Sequence, residues 1–217
     1  MSETPSKKQT DLKNIRDDYS HSTLDKSHVD PNPITQLDAW VQQAIEAQCL
    51  EATAMTVATC GDDNQPDCRI VLLKGIDEGL IFYTNYNSKK GRDLAENTNA
   101  ACQFFWPQLE RQVRVQGQVE QLSHEASSTY FDSRPLGSRI SAMVSPQSDT
   151  ITSKQPLIDE MSALEKNPEN VKCPPHWGGY RLNPTSFEFW QGRPSRFHDR
   201  VCYAQENQSW KIYQKAP

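Results

Sequence analysis

The 217-residue chain predicts an antiparallel barrel with helical additions, mainly β, and three observations carry that reading. About seven or eight short stretches have strand character, several of them joined by tight turns. The helical stretches do not alternate with strands in the βαβ order of a parallel sheet. G-x-G-x-x-G and Walker segments are both missing, so neither common nucleotide fold is indicated, and any nucleotide must be held by barrel strands and side chains.

Residues 1 to about 30 are rich in Ser, Thr, Lys and Asp and lack apolar periodicity, which predicts a mobile arm. Within it Leu12, Ile15 and Tyr19 fall at helical spacing, so a weak helix is expected over 11–19, with Arg16 and Tyr19 on one face. Pro31 and Pro33 close the arm, and residues 31–217 are expected to form a single domain. Leu37, Trp40, Val41, Ala44 and Ile45 make an amphipathic helical stripe, with Thr35 and Asp38 resembling a capping box. Residues 52–59 read as a strand, 69–74 as a buried strand with a charge at each end, and 80–84 as the next. Short connections make these an antiparallel meander. Ser88 is expected to cap a helix through about residue 97, followed by strands over 101–106 and 111–122. Ser123 caps a helix through 133, which Pro135 interrupts before further helix over 140–144 and 154–166. Stretches 177–182, 187–190, 200–204 and 210–213 are the closing strands.

Net charge is −5 and the isoelectric point about 5.6, which argues against a general nucleic-acid binder. Mean hydropathy is −0.77, polar for a folded chain, and no run of 18 apolar residues suggests a membrane span. The polar N-terminus has no signal-peptide core, so a cytoplasmic protein is expected. The six cysteines include no C-x-x-C pair and read as reduced thiols, with no metal site indicated.

Cationic residues therefore act locally, as anion sites for a small ligand. Lys89, Lys90 and Arg92 crowd the first turns of a helix, where the dipole favours anions. A bound phosphate resolves that conflict. Arg69 and Lys74, five apart, would leave an unbroken strand on opposite faces and serve two anions, although strand-end charges that merely reach solvent fit as well. Tyr130 and Arg134 are one helical turn apart with Ser138 just beyond, a possible phosphate cup or equally a solvated helix pair. Near the end, Arg196, His198 and Arg200 are spaced by two behind the aromatic strand 187–190. On an extended backbone they would share one side, as they also would on a solvated edge strand. The aromatic neighbours favour a planar ligand with anionic groups.

The segment W-Q-G-x-x-x-R-x-H-D-R, from Trp190 to Arg200, resembles the C-terminal signature of the pyridoxamine/pyridoxine 5'-phosphate oxidases, which use flavin mononucleotide (FMN). R-I-V-L-L-K (Arg69, Ile70, Val71, Leu72, Leu73, Lys74) is similar to that family's flavin-binding strand, and Y-F-x-S-R-P-x-x-S to its substrate-phosphate segment. The resemblance spans roughly 12–213 in six ordered blocks and implies an FMN-binding split β-barrel, assembled as a homodimer with the flavin between subunits. It implies flavin contacts from 69–74, Tyr83, Thr84, Lys89, Lys90, Gln112, Gln147, Ser148, Trp190 and Arg200. Substrate contacts are implied for Arg16, Tyr19, Lys74, Tyr130, Arg134, Ser138, Arg196 and His198, the last two acting in catalysis. The implied reaction oxidises pyridoxine or pyridoxamine 5'-phosphate to pyridoxal 5'-phosphate. Oxygen accepts the electrons, hydrogen peroxide is released, and the amine also yields ammonia. Two departures stand out: Lys89 replaces the family's usual Arg, and the chain ends Gln214-Lys215-Ala216-Pro217 where the family has Arg-Leu-x-Pro. A flavin reductase using a nicotinamide and a non-catalytic carrier of pyridoxal phosphate or flavin are the competing readings. The full substrate-side set argues against both.

Overall fold

The computed structural model describes residues 18–20 and 22–217. Arg16 and the expected helix up to residue 17 lie outside the described residues, and Tyr19 sits in irregular backbone. The described chain forms five α-helices and nine strands that pair antiparallel in one curled sheet.

Helix α1 (Pro33–Glu46) begins one turn earlier than Thr35 suggested. Asn32 is its cap, its side chain accepting from the Ile34 N–H, and Pro33 fills the first helical position, where a missing N–H costs nothing. Strands β1 (Ala54–Cys60) and β2 (Pro66–Leu72) form a hairpin, and the two-residue β3 (Gly75–Ile76) leads into β4 (Leu80–Asn85). Helix α2 (Lys89–Glu96) follows, then β5 (Asn99–Trp106) and β6 (Arg111–Gln121). Helices α3 (His124–Ser133), α4 (Leu136–Val144) and α5 (Gln155–Glu165) precede β7 (Trp177–Gln191), β8 (Asp199–Glu206) and β9 (Ser209–Gln214). No helix among the described residues is long and apolar enough to cross a membrane.

Two expectations fail here. Residues 69–74 are not a buried strand: β2 is the sheet's edge, stops at Leu72, and leaves Ile70 70% exposed. An apolar run alone cannot say what covers it. The stretches 177–182 and 187–190 are one 15-residue strand, because the intervening residues stay paired with β6 through a register shift at Gln116/Gly117. A bulge absorbs the extra residue without breaking the strand.

That long strand forks the sheet. One edge of β7 carries β6 from Tyr180 to Gln191. Its other edge is shared, with β4 on Trp177–Leu182 and β8 on Ser186–Gln191. The inner face holds the core: Phe104, Val113, Val115, Phe187 and Phe189 pack with Leu37, Trp40 and Val41 of α1. Trp40 meets Phe189 edge-on at 5.1 Å. A smaller cluster of Phe131, Ile140, Val144, Val171 and Trp177 seats α3 and α4 beside the N-terminal end of β7.

Helix α2 is drawn tightly onto the turn after β4. Ser88 Oγ caps it by accepting from the Gly91 N–H, and a Cβ at Gly91 would run into the Tyr86 carbonyl. Gly91→Ala is expected to cost about 2–4 kcal/mol and lower the melting temperature by about 5–10 °C. A calorimetric scan showing an unchanged transition would mean that the turn yields freely.

Candidate active site

A cleft of about 480 Å³ opens between the end of β4, β2 and the α3–α4 junction. Its lining gathers Ile70, Val71, Leu72, Lys74, Tyr83, Thr84, Lys90, Tyr130, Arg134, Ser138 and Gln147, which sequence reasoning had singled out from five separate blocks. Trp177, Asn85, Ser141 and Ser145 join them. Trp177 was legible only as the start of a strand, and the rest carried no pattern.

One wall is aromatic. The rings of Tyr83 and Tyr130 stack at 3.9 Å, and Trp177 continues the stack 5.5 Å from Tyr83. Burial raises the pKa of both tyrosines above the ordinary value, so their hydroxyls remain protonated donors at neutral pH. The Arg134 guanidinium lies 4.7 Å over the Trp177 ring, a cation–π contact. Its Nη1 is buried with no hydrogen-bond partner among the described residues. Burial also pulls Arg134 below its ordinary pKa, yet a guanidinium stays charged. An orphaned buried donor beside the start of α4, with Ser138 one turn in, fits an anion.

The second cation is Lys90. It folds back from α2 so that its ammonium donates to Thr84 Oγ1 at 2.9 Å, Gln147 Oε1 at 3.2 Å and Ser88 Oγ at 3.4 Å. These partners are neutral, and among the described residues Lys90 forms no ion pair. Burial first, then repulsion from Arg69, pushes its pKa down to about 8, with Asp67 opposing. Lys89, one residue earlier, turns the other way and pairs with the buried Asp93 at 2.6 Å. Arg92 pairs with Asp149 at 3.7 Å. The crowding of cations at this helix start therefore resolves unequally, and only Lys90 is left facing the cleft.

Several predicted residues lie elsewhere. Arg69 donates to Thr59 Oγ1 at 2.7 Å and pairs with Asp67 at 2.6 Å, outside the lining. Ser148 is exposed on a left-handed backbone, φ 76°. Leu73 is buried in the core, with its N–H donated to the Thr53 carbonyl at 2.8 Å.

Gln112, Trp190 and Arg200 face one another across β6, β7 and β8, on the sheet face opposite the core. Arg196, His198 and Arg200 do not share an extended strand. Residues 194–196 form a 3₁₀ turn with Ser195 and Arg196 left-handed, φ 57° and 61°, so period-two geometry does not apply. His198 instead turns against Trp190, ring centroids 4.5 Å apart, with Tyr19 edge-on to both. The Arg193 N–H donates to His198 Nδ1 at 3.1 Å, which assigns the neutral ring's proton to Nε2. Burial, then repulsion from Arg196, lowers the His198 pKa against the opposing pull of Asp199, so the ring is neutral at pH 7. Arg200 donates to Glu188 at 2.8 Å, and Lys215 reaches the same carboxylate at 3.3 Å. Burial pushes the Glu188 pKa up, but Arg200 and Lys215 outweigh it and hold it below the ordinary value. Glu188 was missed in the sequence, although a lone carboxylate among strand aromatics was a usable signal.

The two groups of residues sit at opposite ends of β7. Trp177 and Trp190 are separated by a contour on the order of 40 Å at about 3.3 Å per residue.

A forked, curled antiparallel sheet with a cationic, aromatic-walled cleft at its rim belongs to the split-barrel class of folds. Family comparison narrows this. Residues 41–172 match the model of pyridoxamine 5'-phosphate oxidase, and 177–217 match that of the pyridoxine 5'-phosphate oxidase C-terminal dimerisation region. The chain belongs to the pyridoxamine 5'-phosphate oxidase family. It is 52% identical to a pyridoxine/pyridoxamine 5'-phosphate oxidase of Burkholderia mallei over 213 residues, 96% of this chain and all of the relative. The relative of the same name in Burkholderia thailandensis is 50% identical over the same span and coverage. Among solved structures it is similar to PhzG of Burkholderia lata, solved with tetrahydrophenazine-1-carboxylic acid. That match has a TM-score of 0.85 and 29% identity, over 88% of this chain and 95% of that one. A pyridoxamine 5'-phosphate oxidase-related, FMN-binding protein of Nostoc punctiforme shares the fold at TM-score 0.70 and 16% identity, over 87% of this chain and all of that one.

The unpaired Lys90 generates a test. Its folded pKa of about 8 lies below the ordinary 10.5, so the unfolded chain binds more protons between those values and stability rises with pH there. Below about pH 8 the buried charge costs roughly 3 kcal/mol. Lys90→Gln is therefore expected to stabilise the ligand-free protein at pH 7 by about 1–3 kcal/mol, with the gain shrinking towards pH 10.5. Millimolar inorganic phosphate should raise the melting temperature of the parent protein more than that of the variant, which keeps the Arg134 cup. Equal or lower stability of the ligand-free variant in melts at pH 7 refutes this account of Lys90.

Proposed function

We propose that this chain is a pyridoxine/pyridoxamine 5'-phosphate oxidase that works with FMN and oxygen. The observation that carries the reading is a pair of cations on the lining of one cleft, the buried Lys90 and the half-buried Arg134 with its buried Nη1, neither of which has a carboxylate partner among the described residues. Two such cations suit two phosphates, one on a cofactor and one on a substrate.

Lys90, with Thr84 and Gln147 beside it, would hold the flavin phosphate. The exposed Ile70 and Leu72 offer apolar contact to the ring system. Arg69 and Lys89 belong to the same region. Lys89 is already engaged by Asp93, so it would support Lys90 more than replace it. Arg134, Tyr130, Ser138 and Lys74 would take the substrate phosphate. Bound there, FMN would accept a hydride from the substrate C4' carbon and pass the electrons to oxygen, giving hydrogen peroxide.

The chain's own task is orientation and charge. Arg196 is exposed and, among the described residues, unpaired, so it can orient the substrate through hydrogen bonds to its ring substituents. Neutral His198, with Nδ1 engaged, offers an Nε2–H donor and no second charge. Trp190, Gln112 and Arg200 would contact the flavin. They lie towards the other end of β7 from Trp177 and do not line the cleft of their own chain. The reading therefore includes a homodimer in which each subunit completes the other's site, supported by the match of 177–217 to a dimerisation region. All six cysteines are unpaired, which supports a cytoplasmic setting.

Steady-state peroxide production tests the reading. The purified protein with FMN is expected to oxidise pyridoxine 5'-phosphate and to use free pyridoxine roughly 10⁴-fold less well in kcat/KM, because an empty phosphate cup leaves buried donors unsatisfied. Arg134→Leu should raise KM for the phosphorylated substrate and barely change the poor use of pyridoxine. Comparable kcat/KM for both substrates in the parent protein, or equal loss of both activities in the variant, contradicts it.

A further inference from the structure

The described part of the arm is fastened to the turn that carries His198. Tyr19 lies edge-on to Trp190 and His198, with centroids 5.7 and 5.8 Å away. It covers Gly192 so closely that a Cβ there would fall 2.7 Å from Tyr19 Cγ. The backbone that follows is held by two side chains of the same turn. Arg193 Nη1 donates to the Ser22 carbonyl at 2.9 Å, and the Leu24 N–H donates to Asp199 Oδ2 at 3.0 Å. Arg193 Nε lies 3.5 Å from that same Oδ2, so the two holding groups also brace each other.

We propose that Arg193 and Asp199 form a latch that fixes the arm over the Trp190–His198 surface, and that Arg193 is thereby a positioning residue for substrate retention. The retention half rests on the functional reading above; the latch itself rests on the contacts alone. Among the described residues from Tyr19 to Leu24, Arg193 and Asp199 supply the hydrogen bonds that reach beyond the arm itself. The remaining one, from Ser22 Oγ to the Thr23 carbonyl, is local. Tyr19 and Leu24 add apolar contact, but apolar contact does not fix a register. Both latch side chains are about 30% exposed, 32% for Arg193 and 29% for Asp199. Water can therefore compete for the ion pair, which suits a cover that must open for substrate to enter and product to leave. Arg193 separates its two tasks cleanly. Its backbone N–H sets the His198 tautomer, and its side chain holds the arm.

Arg193→Ala removes the second task and leaves the first. In the FMN-loaded enzyme, amide hydrogen exchange at Leu24 is expected to speed up about tenfold, the loss of one charge-assisted hydrogen bond. KM for pyridoxine 5'-phosphate should rise by about the same factor, with kcat changed less than about twofold and FMN affinity unchanged. Arg193→Lys, which keeps the charge without the fork, should recover part of both effects. A Leu24 amide as protected in Arg193→Ala as in the parent overturns the latch. A raised KM with unchanged exchange overturns it too, since Arg193 would then act by another route. Faster exchange with unchanged KM overturns the retention role. A parent enzyme that leaves pyridoxine 5'-phosphate unoxidised removes the functional reading and retention with it, while Leu24 exchange still decides whether the latch exists.

Discussion

Strand β7 has one edge to offer and two partners on it, and the rest of the architecture follows from that division. Because β6 occupies the opposite edge from Tyr180 to Gln191, β4 and β8 take successive halves of the remaining edge, and the sheet opens between them. The sheet curls until β2 approaches β4 without joining it, so the β4 arm ends at a rim where α3 and α4 pack and a cleft remains. The same division sends the β8 arm, with Trp190, Arg200 and the His198 turn, away from that rim. A bulge at Gln116/Gly117 keeps the strand continuous through the change of partner, and this continuity fixes how far apart the two groups of polar residues stand.

Electrostatics is arranged by neighbour as much as by count. Lys89 and Lys90 are adjacent in sequence on the same short helix, yet one lies against a buried carboxylate and the other against neutral oxygens. The helix start tolerates both because they leave in different directions, Lys89 towards Asp93 and Lys90 back over Ser88 to the end of β4. Glu188 shows the converse arrangement. A buried carboxylate is surrounded by Arg200, Lys215 and, at 3.7 Å, Arg114, so its charge is more than balanced. An acidic chain thus carries net positive charge where its sheet faces outward beside Trp190.

Much of this was legible in the sequence, for identifiable reasons. Helices α2 and α3 appeared with their caps because Ser88 and Ser123 are short oxygen-bearing residues directly before a helical pattern. The cleft residues were found because their spacing and residue types matched a known signature. Three features resisted. The cap of α1 was placed at Thr35 because a capping box is a stronger pattern than Asn-Pro, although Asn32 followed by Pro33 satisfies the same orphan donors. Residues 69–74 read as buried because periodicity reports apolarity and cannot identify the covering surface. The turn at 194–196 defeated a period-two argument because two non-glycine residues take left-handed backbone, which no local composition announces. Arg193 and Asp199 escaped notice because their partners are backbone groups about 170 residues away.

Strand β2 leaves a free edge, and its Ile70 and Leu72 lie open to water in the single chain. Such an edge is a template for unintended strand addition. The hairpin carries partial protection, since Asp67 and Arg69 interrupt the apolar ladder with charge beside it. The chain is therefore most vulnerable between completing its own core and having that ladder covered. The residues that make this rim adhesive are thus flanked by the charges that discourage a foreign strand from pairing with it.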